Sequence, residues 1–407
     1  MTLSRRAVTF SVSTNLISAS LTGAMVLTLT RLDRLGEIAA YTVGTVAASF
    51  VAVLLTAGSS LAYLTGDDEL RGRVRRWRLV IVLPMLSVAS FAVGALYVSK
   101  GYSGVQVTAV ALAIALNGVA ELQYADLQRG LKFERCAMAS LGSKSLALVL
   151  CVTVTTLGVA LMIAAALQVV ALQMLLGRRR LRLPSPLLAG ATTFPPRQVT
   201  PLAIYSGAEY TGARLDTAAL SFMASTHTVG AYGVVYTLFQ LISSLGYTAA
   251  TSLIPLRNRY TAVPDQESTL RRVERGLIVV SAVVAIGGWF AAAPLLTGLL
   301  HLHDTSAVLW LRLLLIAMPF YLVNRTVASR RIARGAYWQA LHVPGLILAI
   351  GLPLLVVLLP RFGATGAAVA TLGQEVSAAM LLLAVASVRS RPSARRQRTP
   401  PTTLTAG

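Results

Sequence analysis

Apolar runs of about 20 residues recur from one end of the 407-residue chain to the other. A helix of that length crosses the ~30 Å hydrocarbon core of a bilayer. Charged residues make up only 13% of the chain and its mean hydropathy is +0.69, whereas a soluble domain carries about 25% charged residues. The sequence therefore predicts an all-α integral membrane protein and excludes a string of soluble domains.

We predict twelve transmembrane helices from the positions of these runs. Their approximate bounds are 8–29, 38–64, 79–99, 105–125, 136–156, 158–176, 199–223, 228–254, 276–299, 307–323, 337–359 and 364–388. With the N-terminus in the cytoplasm, 29 of the 36 basic residues lie in predicted cytoplasmic segments and 4 in external segments. A missed helix would move every later loop to the other side and remove this asymmetry. We therefore expect both termini to be cytoplasmic.

The net charge of +21 is typical of a nucleic-acid binder in a soluble protein. Here the basic residues lie mostly in short breaks between apolar runs, so we interpret them as topology signals and expect no nucleic-acid partner. The Arg- and Pro-rich tail, residues 389–407, is predicted to be disordered and to lie against anionic lipids of the inner leaflet.

The long loop 177–198, with three successive arginines and four prolines, divides the chain into two parts. We predict an N-terminal six-helix bundle (1–180), a cytoplasmic linker (181–198) and a C-terminal six-helix bundle (199–388). Because each part has an even number of spans, the two bundles have the same orientation in the membrane, which is a parallel repeat.

Polar residues of the second and eighth spans repeat in the same register. A shift of 191 residues aligns Tyr41 with Tyr232, Thr45 with Tyr236, Ser49 with Gln240, Thr56 with Tyr247 and Ser60 with Thr251. In each copy these residues recur every three to four positions or close to it, so they share one helix face. The pattern indicates two related helices, each with one polar face.

Two further spans carry polar stripes at helical spacing. The first span has Ser11, Asn15, Ser18 and Thr22, and the fourth has Asn117, Glu121 and Tyr124. Hydrogen bonds between helices explain any single Ser or Thr. Four striped helices together favour a water-filled central cavity, lined by Asn15, Ser18, Asn117, Tyr232, Tyr236 and Gln240.

The seventh span contains three ionisable residues, Glu209, Arg214 and Asp216. Each costs about 2.5–3.5 kcal/mol at mid-membrane on the insertion scale. They persist if they pair across helices or contact substrate, and both explanations stay open. If they contact substrate, Arg214 binds an anion and Glu209 or Asp216 carries a proton or cation. Lys144 and Glu375 are further candidates of the same kind.

The sequence carries no nucleotide-binding loop of the form G-x-x-x-x-G-K-[ST], so we expect no ATP hydrolysis by this chain. The predicted external loops are too short for a catalytic platform, so we predict a protein that is not an enzyme, without catalytic residues or cofactors. His301, His303 and Asp304 are a weak metal-binding signal, and we predict no metal site there.

Several segments resemble the multidrug/oligosaccharidyl-lipid/polysaccharide exporter superfamily, and within it the polysaccharide (Wzx-type) flippases. They are TRLDRLGE at 30–37 leading into Tyr41, RLD at 214–216, VGAY at 229–232, SLIP at 252–255 and GATGAA at 363–368. The resemblance extends over most of residues 8–388.

The resemblance implies two bundles that alternate between inward-open and outward-open states. The substrate would be a polyprenyl-diphosphate-linked oligosaccharide, moved from the inner to the outer leaflet of the plasma membrane for surface polysaccharide synthesis. Arg214 and Lys144 would meet the diphosphate, and tyrosines such as Tyr232 and Tyr236 would face sugars. Implied partners are H⁺ or Na⁺ as coupling ion and a polysaccharide polymerase or glycosyltransferases. The predicted cavity has few cations and several carboxylates, which departs from the cationic cavity expected of relatives.

Three other functions remain open at this point. The main alternative is an ion-coupled multidrug antiporter of the same superfamily, in which Glu209 and Asp216 would bind cationic drugs. A lipid II flippase is a second, although that group usually has fourteen spans. The third is a non-transporting scaffold for polysaccharide assembly, which the ionisable residues within the predicted spans disfavour.

Overall fold

The computed structural model of this chain describes residues 17, 20–56, 68–129, 133–153, 156–176, 200–260, 264–302 and 304–390. Asn15, Ser18, the linker 181–198 and residues 391–407 of the predicted tail lie outside the described residues. Every regular element in the described ranges is helical. The all-α prediction is therefore confirmed for that part of the chain.

We number the helices α1 to α11. They are α1 (20–31), α2 (Leu35–Thr56), α3 (Asp68–Trp77, Arg78–Val82 and Leu83–Val98 in succession), α4 (Gly104–Arg129), α5 (Phe133–Thr153), α6 (Leu157–Leu176), α7 (Thr200–Met223), α8 (Thr226–Tyr260), α9 (Pro264–Ala293 followed by Pro294–Leu299), α10 (Thr305–Ala333) and α11 (Tyr337–Ser390).

Helix α11 bends sharply at Gly363, whose backbone angles are φ 56° and ψ −133°. Only glycine adopts this conformation without steric cost, because any Cβ would clash with the backbone. The bend divides α11 into two helices, 337–362 and 364–390. Two other helices contain a wide π-helical turn, at Arg78–Val82 in α3 and Pro294–Leu299 in α9. Pro84 follows the first turn closely and Pro294 begins the second, and a proline removes one hydrogen bond of the regular helix.

Seven helical stretches in the described residues are long and apolar enough to cross a membrane, judged by length and composition. They are 35–53, 72–98, 104–124, 157–176, 270–299, 305–333 and 337–385. Many large apolar side chains are exposed on their surfaces, such as Val88, Phe91, Val105 and Phe290. This is the exposure expected of helices surrounded by lipid. The chain is a multi-pass membrane protein, while the number of twelve spans, the repeat and the cytoplasmic termini stay predictions.

Some helices extend beyond the predicted spans. The span predicted at 307–323 belongs to α10, which continues to Ala333, so that Arg325 lies inside a helix and is only 5% exposed. Likewise α3 begins at Asp68, and Arg78 is buried in it. Apolar runs mark where the hydrocarbon begins, but helices continue past that point while their backbone hydrogen bonds remain satisfied.

The helices pack in two groups. In the first, α4 contacts α2, α3 and α6, and α5 packs on α6; in the second, α10 contacts α8, α9 and α11, and α11 packs on α7. Helix α2 joins the groups by packing against α7 and α8. We call α1–α6 the N-terminal half and α7–α11 the C-terminal half.

The contact between α2 and α8 is unusually close because glycines lie in it. A Cβ atom added to Gly230 would be 2.5 Å from the carbonyl oxygen of Leu35, and one added to Gly233 would be 2.2 Å from the hydroxyl of Thr42. No larger residue fits at either position without movement of its neighbour. We call this contact the glycine seam. It holds the two halves together beside the cavity described next.

Candidate functional site

A polar cavity of about 310 Å³ lies between the two halves. Helices α1, α2, α7, α8 and α10 contribute its lining, which is rich in hydroxyl groups. The polar residues that line it are Thr22, Tyr41, Thr42, Thr45, Arg214, Tyr236, Thr237, Gln240, Ser243, Ser244 and Tyr321. Arg214 is the only charged residue among the described lining residues. The cavity therefore combines one cation with many groups that both donate and accept hydrogen bonds.

Arg214 is held against the cavity wall by neutral groups. Its Nη2 donates a hydrogen bond of 2.7 Å to Oε1 of Gln240. Its guanidinium carbon lies 4.9 Å from the ring centroid of Tyr236 and 6.0 Å from that of Tyr210. No described carboxylate forms an ion pair with Arg214. Its charge is thus oriented without an ion pair to a described carboxylate, which is an arrangement that suits an anion.

The two polar stripes found by the 191-residue shift meet at this cavity. Tyr41 and Thr45 of α2 line it from the N-terminal half, and Tyr236 and Gln240 of α8 line it from the C-terminal half. The hydroxyl of Tyr236 donates to the carbonyl of Ala213, which fixes its ring beside Arg214. The spacing of polar residues thus identified helix faces that approach each other in the fold.

Glu209 does not line the cavity but forms a buried ion pair. Its carboxylate contacts Nη1 of Arg325 on α10, and the two side chains are 15% and 6% exposed. The guanidinium of Arg325 also lies 4.8 Å from the ring centroid of Tyr321, and Tyr321 lines the cavity. The ion pair therefore stands one layer behind the cavity wall and joins α7 to α10.

Asp216 is likewise buried outside the cavity lining, and hydrogen-bond donors surround it. Its Oδ2 accepts from the hydroxyls of Tyr232, at 2.7 Å, and Thr371, at 2.9 Å. Its Oδ1 accepts from the backbone N–H and the hydroxyl of Thr217, at 2.6 and 3.1 Å. Four donors replace the water that an ionised carboxylate loses on burial. Asp216 thereby connects α7, α8 and α11.

Glu375 on α11 is also buried, at 4% exposure. Its Oε2 accepts a hydrogen bond of 2.7 Å from Nδ2 of Asn324, which bonds its carbonyl oxygen as well, at 3.1 Å. Glu375 therefore belongs to the same region as the Glu209–Arg325 pair. Together these groups form a polar core within the C-terminal half.

None of the remaining predicted site residues that the structure describes lines the polar cavity. Tyr232 is fully buried, bonds Asp216 and packs at 6.2 Å from Tyr236 and 5.8 Å from Trp310, between ring centroids. Asn117 and Lys144 are partly buried on α4 and α5, and neither is among the residues described as lining the polar cavity. Asn15 and Ser18 fall outside the described residues.

Sequence reasoning missed several groups of the site. Arg325 was assigned to a cytoplasmic loop, and Tyr321, Asn324 and Thr371 were not singled out. A signal was present for the first of these, because Tyr321, Asn324 and Arg325 follow helical i, i+3, i+4 spacing directly after the predicted tenth span. Extending that span by one turn would have brought Arg325 into the membrane as a partner for Glu209.

One end of the molecule is closed by contacts between the halves. The hydroxyl of Tyr97, at the end of α3, is 3.1 Å from that of Ser221 on α7, and the Tyr102 hydroxyl donates to the Ser221 carbonyl oxygen at 3.4 Å. Burial and, to a smaller extent, the neighbouring Tyr97 together raise the pKa of Tyr102, in the loop before α4, to about 12. Tyr102 therefore remains a donor at physiological pH. The sequence predicts that this end is external.

Several solved structures with a similar fold are described as flippases or transporters. The chain aligns over 95% of its length with 88% of lipid II flippase MurJ in an inward closed conformation, with a TM-score of 0.68 and 12% identity. It aligns over 96% with 99% of the Vibrio cholerae MATE transporter VcmN in the bent form, with a TM-score of 0.60 and 15% identity. It aligns over 95% of its length with 96% of the eukaryotic MATE transporter AtDTX14, with a TM-score of 0.60 and 14% identity.

No protein-family model matches the sequence, and a search of curated proteins finds no match. The structural similarity, at this level of identity, concerns the fold. One of the solved neighbours is itself described as a MATE family transporter of the MOP superfamily. The shared fold gives no support to the polysaccharide group in particular.

Proposed function

We propose that this protein is a flippase that moves a polyprenyl-diphosphate-linked oligosaccharide from the inner to the outer leaflet of the plasma membrane, for surface polysaccharide synthesis. The single observation that carries the proposal is the charge of the polar cavity. Arg214, its only described charged lining residue, forms no ion pair with a described carboxylate and is available for a diphosphate.

The burial of the carboxylates removes the main objection to an anionic substrate. From the sequence, Glu209, Asp216 and Glu375 were expected in the cavity, where they would repel a diphosphate. In the fold none of the three lines the cavity. Glu209 pairs with Arg325, Asp216 accepts hydrogen bonds from Tyr232 and Thr371, and Glu375 accepts one from Asn324. The Tyr, Thr, Ser and Gln side chains of the lining suit the hydroxyls and rings of sugars.

The proposed mechanism is alternating access of two parallel six-helix bundles, residues 1–180 and 199–388, with both termini in the cytoplasm. Closure at Tyr97, Tyr102 and Ser221 would be broken when the outward side opens. Proton or Na⁺ binding is proposed as the energy source, and a polysaccharide polymerase or glycosyltransferases are proposed partners. MurJ, named a lipid II flippase, lends support as a transporter of a lipid-linked substrate with a similar fold.

The test is a clean deletion strain, in which lipid-linked oligosaccharides and surface polysaccharide are quantified together. Accumulation of the lipid-linked unit with loss of the polymer supports the proposal, and the mass of the unit gives the number and class of its sugar residues. The strain is complemented with the wild-type gene and, as a matched comparison, with the Arg214→Ala variant. Unchanged levels of both lipid and polymer in the deletion strain would contradict the proposal.

A second candidate is an ion-coupled multidrug antiporter, which two observations favour. The fold is shared with MATE transporters, and buried carboxylates such as Asp216 are groups that a coupling cation could occupy. This function predicts a normal polysaccharide in the deletion strain together with increased susceptibility to cationic drugs. The same strain therefore separates the two functions.

A further inference from the structure

Glu209, Asp216 and Glu375 are all buried, but their charges are compensated to different degrees. Glu209 pairs with the guanidinium of Arg325. Asp216 accepts hydrogen bonds from three hydroxyls and one backbone N–H. The carboxylate of Glu375 accepts a single hydrogen bond from the described residues, on Oε2, and its donor is the neutral amide of Asn324. Glu375 is thus the least compensated of the three.

The amide of Asn324 has one atom that finds no partner. Its Nδ2 donates to Oε2 and to the carbonyl oxygen of Glu375, at 2.7 and 3.1 Å. Its Oδ1 is buried and accepts no hydrogen bond from the part of the chain that the structure describes, and Asn324 is 0% exposed. Turning the amide over would place Oδ1 against two acceptors of Glu375, so this orientation is the favourable one. A buried acceptor of this kind calls for a donor.

The charges around Glu375 do not balance among the described residues. Arg325 and Tyr321 of α10 interact with it electrostatically, and Arg325 is paired with Glu209 of α7. Tyr205 of α7, another titratable neighbour of Arg325, brings no positive charge. If both carboxyl groups were ionised, two negative charges would share one guanidinium away from water. A buried carboxyl in that position is more stable in its neutral form.

We propose that Glu375 is a proton-binding site, and that its carboxyl group carries the proton in this conformation and forms a two-bond pair with the amide of Asn324. In this pair Nδ2 donates to Oε2, and the carboxyl O–H on Oε1 donates to Oδ1. One proton thereby supplies the donor that Oδ1 lacks and removes the excess negative charge. The site is separate from the polar cavity and does not depend on the proposed substrate.

Other occupants satisfy only part of what the site requires. A water molecule would donate to Oδ1 of Asn324 but would leave the excess negative charge in place. A metal ion would balance the charge, but hard cations such as Ca²⁺ take about six to eight oxygen ligands. The described residues include no group of three or more His, Cys, Asp or Glu side chains that could hold a metal ion. The proton meets both requirements with the atoms present.

Infrared spectroscopy of the full chain at neutral pH, in a detergent without carbonyl groups, detects the proton directly. The C=O stretching band of a protonated carboxyl is separate from the bands of carboxylates and amides. We expect this band in wild type and its loss in Glu375→Gln. Glu274→Gln is the matched control and should keep the band, because Glu274 is also buried but pairs with Arg330. A wild type without the band, or its persistence in Glu375→Gln, would overturn the proposal.

The same substitution at two glutamates should have opposite effects on thermal unfolding. In Glu375→Gln the new amide accepts from Nδ2 of Asn324 and donates to Oδ1, so it reproduces the two-bond pair without a proton. We expect its unfolding midpoint to equal or exceed that of wild type, whereas Glu209→Gln loses an ion pair and lowers the midpoint. A lower midpoint for Glu375→Gln would show that the carboxyl is ionised and refute the site.

A change of salt separates the proton from a metal ion. Replacing sodium chloride by choline chloride should leave the unfolding midpoint of wild type unchanged. A midpoint that rises with Na⁺ in wild type, and not in Glu375→Gln, would identify Na⁺ as the occupant and contradict the proposal.

Discussion

The two walls of the polar cavity differ in what lies behind them. The N-terminal wall presents Tyr41, Thr42 and Thr45, with α4 packed behind α2. The C-terminal wall presents Arg214 and Gln240, and behind it lie the Glu209–Arg325 pair and the network of Asp216. The difference indicates that the two halves have different roles. Buried charges join the helices of the C-terminal half behind a wall that presents Arg214, the one charged residue among the described lining residues, while the N-terminal half offers hydroxyls that adapt to a ligand.

The largest effect should come from breaking the Glu209–Arg325 pair on one side only. Glu209→Gln or Arg325→Gln leaves an uncompensated buried charge, so each should destabilise the protein by about 3–5 kcal/mol. The double variant Glu209→Gln/Arg325→Gln should recover most of that loss. Thermal unfolding of the purified protein in detergent measures all three. Single variants as stable as wild type would show that this pair is not part of the framework.

Arg214→Ala should remove the one cation of the described cavity lining and strongly reduce transport while expression stays normal. Hydrogen bonds to charged groups contribute about 1.5–3 kcal/mol, which corresponds to a loss of about 10- to 150-fold. The accumulated lipid-linked oligosaccharide in the complemented deletion strain gives the readout. Arg312→Ala is the control, because Arg312 bonds the Trp289 carbonyl and does not line the cavity. Full activity of Arg214→Ala would exclude Arg214 from the site.

Asp216→Asn should destabilise the C-terminal half by about 1–3 kcal/mol. An amide cannot accept from Tyr232 and Thr371 on one atom and from Thr217 on the other, so at least one buried donor loses its partner. Tyr232→Phe and Thr371→Val each remove one of these bonds and should cost less, about 1 kcal/mol. The measurement is again thermal unfolding. If the hydroxyl deletions cost more than Asp216→Asn, the carboxylate is not the centre of the network.

The N-terminal wall should show the smallest effects. Thr45→Val or Tyr41→Phe removes one hydroxyl, worth about 0.5–1.5 kcal/mol, from a wall that offers several. Each variant should reduce transport about two- to tenfold, without a change in thermal stability. The assay is the one used for Arg214→Ala. A loss of transport as large as that of Arg214→Ala would show that one hydroxyl is essential. The proposed difference between the two walls would then be wrong.

Much of the fold followed from local patterns. Apolar runs located the helices because backbone groups in lipid must bond within their own segment. The ends were less accurate, as α10 shows, because helices continue beyond the apolar run when polar residues find partners inside the protein. Arg325 was misplaced for this reason: whether an arginine is in a loop or buried depends on a carboxylate more than 100 residues away.

The polar cavity was predictable where one helix face carried the signal, as for Tyr41, Thr45, Tyr236 and Gln240. The role of each carboxylate was not, because Glu209 and Arg214 lie on the same helix yet meet different neighbours. Their difference arises from the helices that pack around α7. Such pairing is a property of the packed structure, and spacing within one helix does not contain it.

The glycine seam has a mechanical consequence. Where Gly230 lies against the Leu35 carbonyl, backbone meets backbone, and no side chain is present that can change its rotamer to thicken or thin the contact. Two halves in such contact can rotate about it but cannot slide past each other. The displacement of a residue during this rotation then grows with its distance from the glycine seam. The seam lies at the same predicted external end as the contact between Tyr97 and Ser221. Spin labels placed beside the seam should therefore keep a constant separation while the inward side opens, and labels at the opposite edges of the halves should then travel the most.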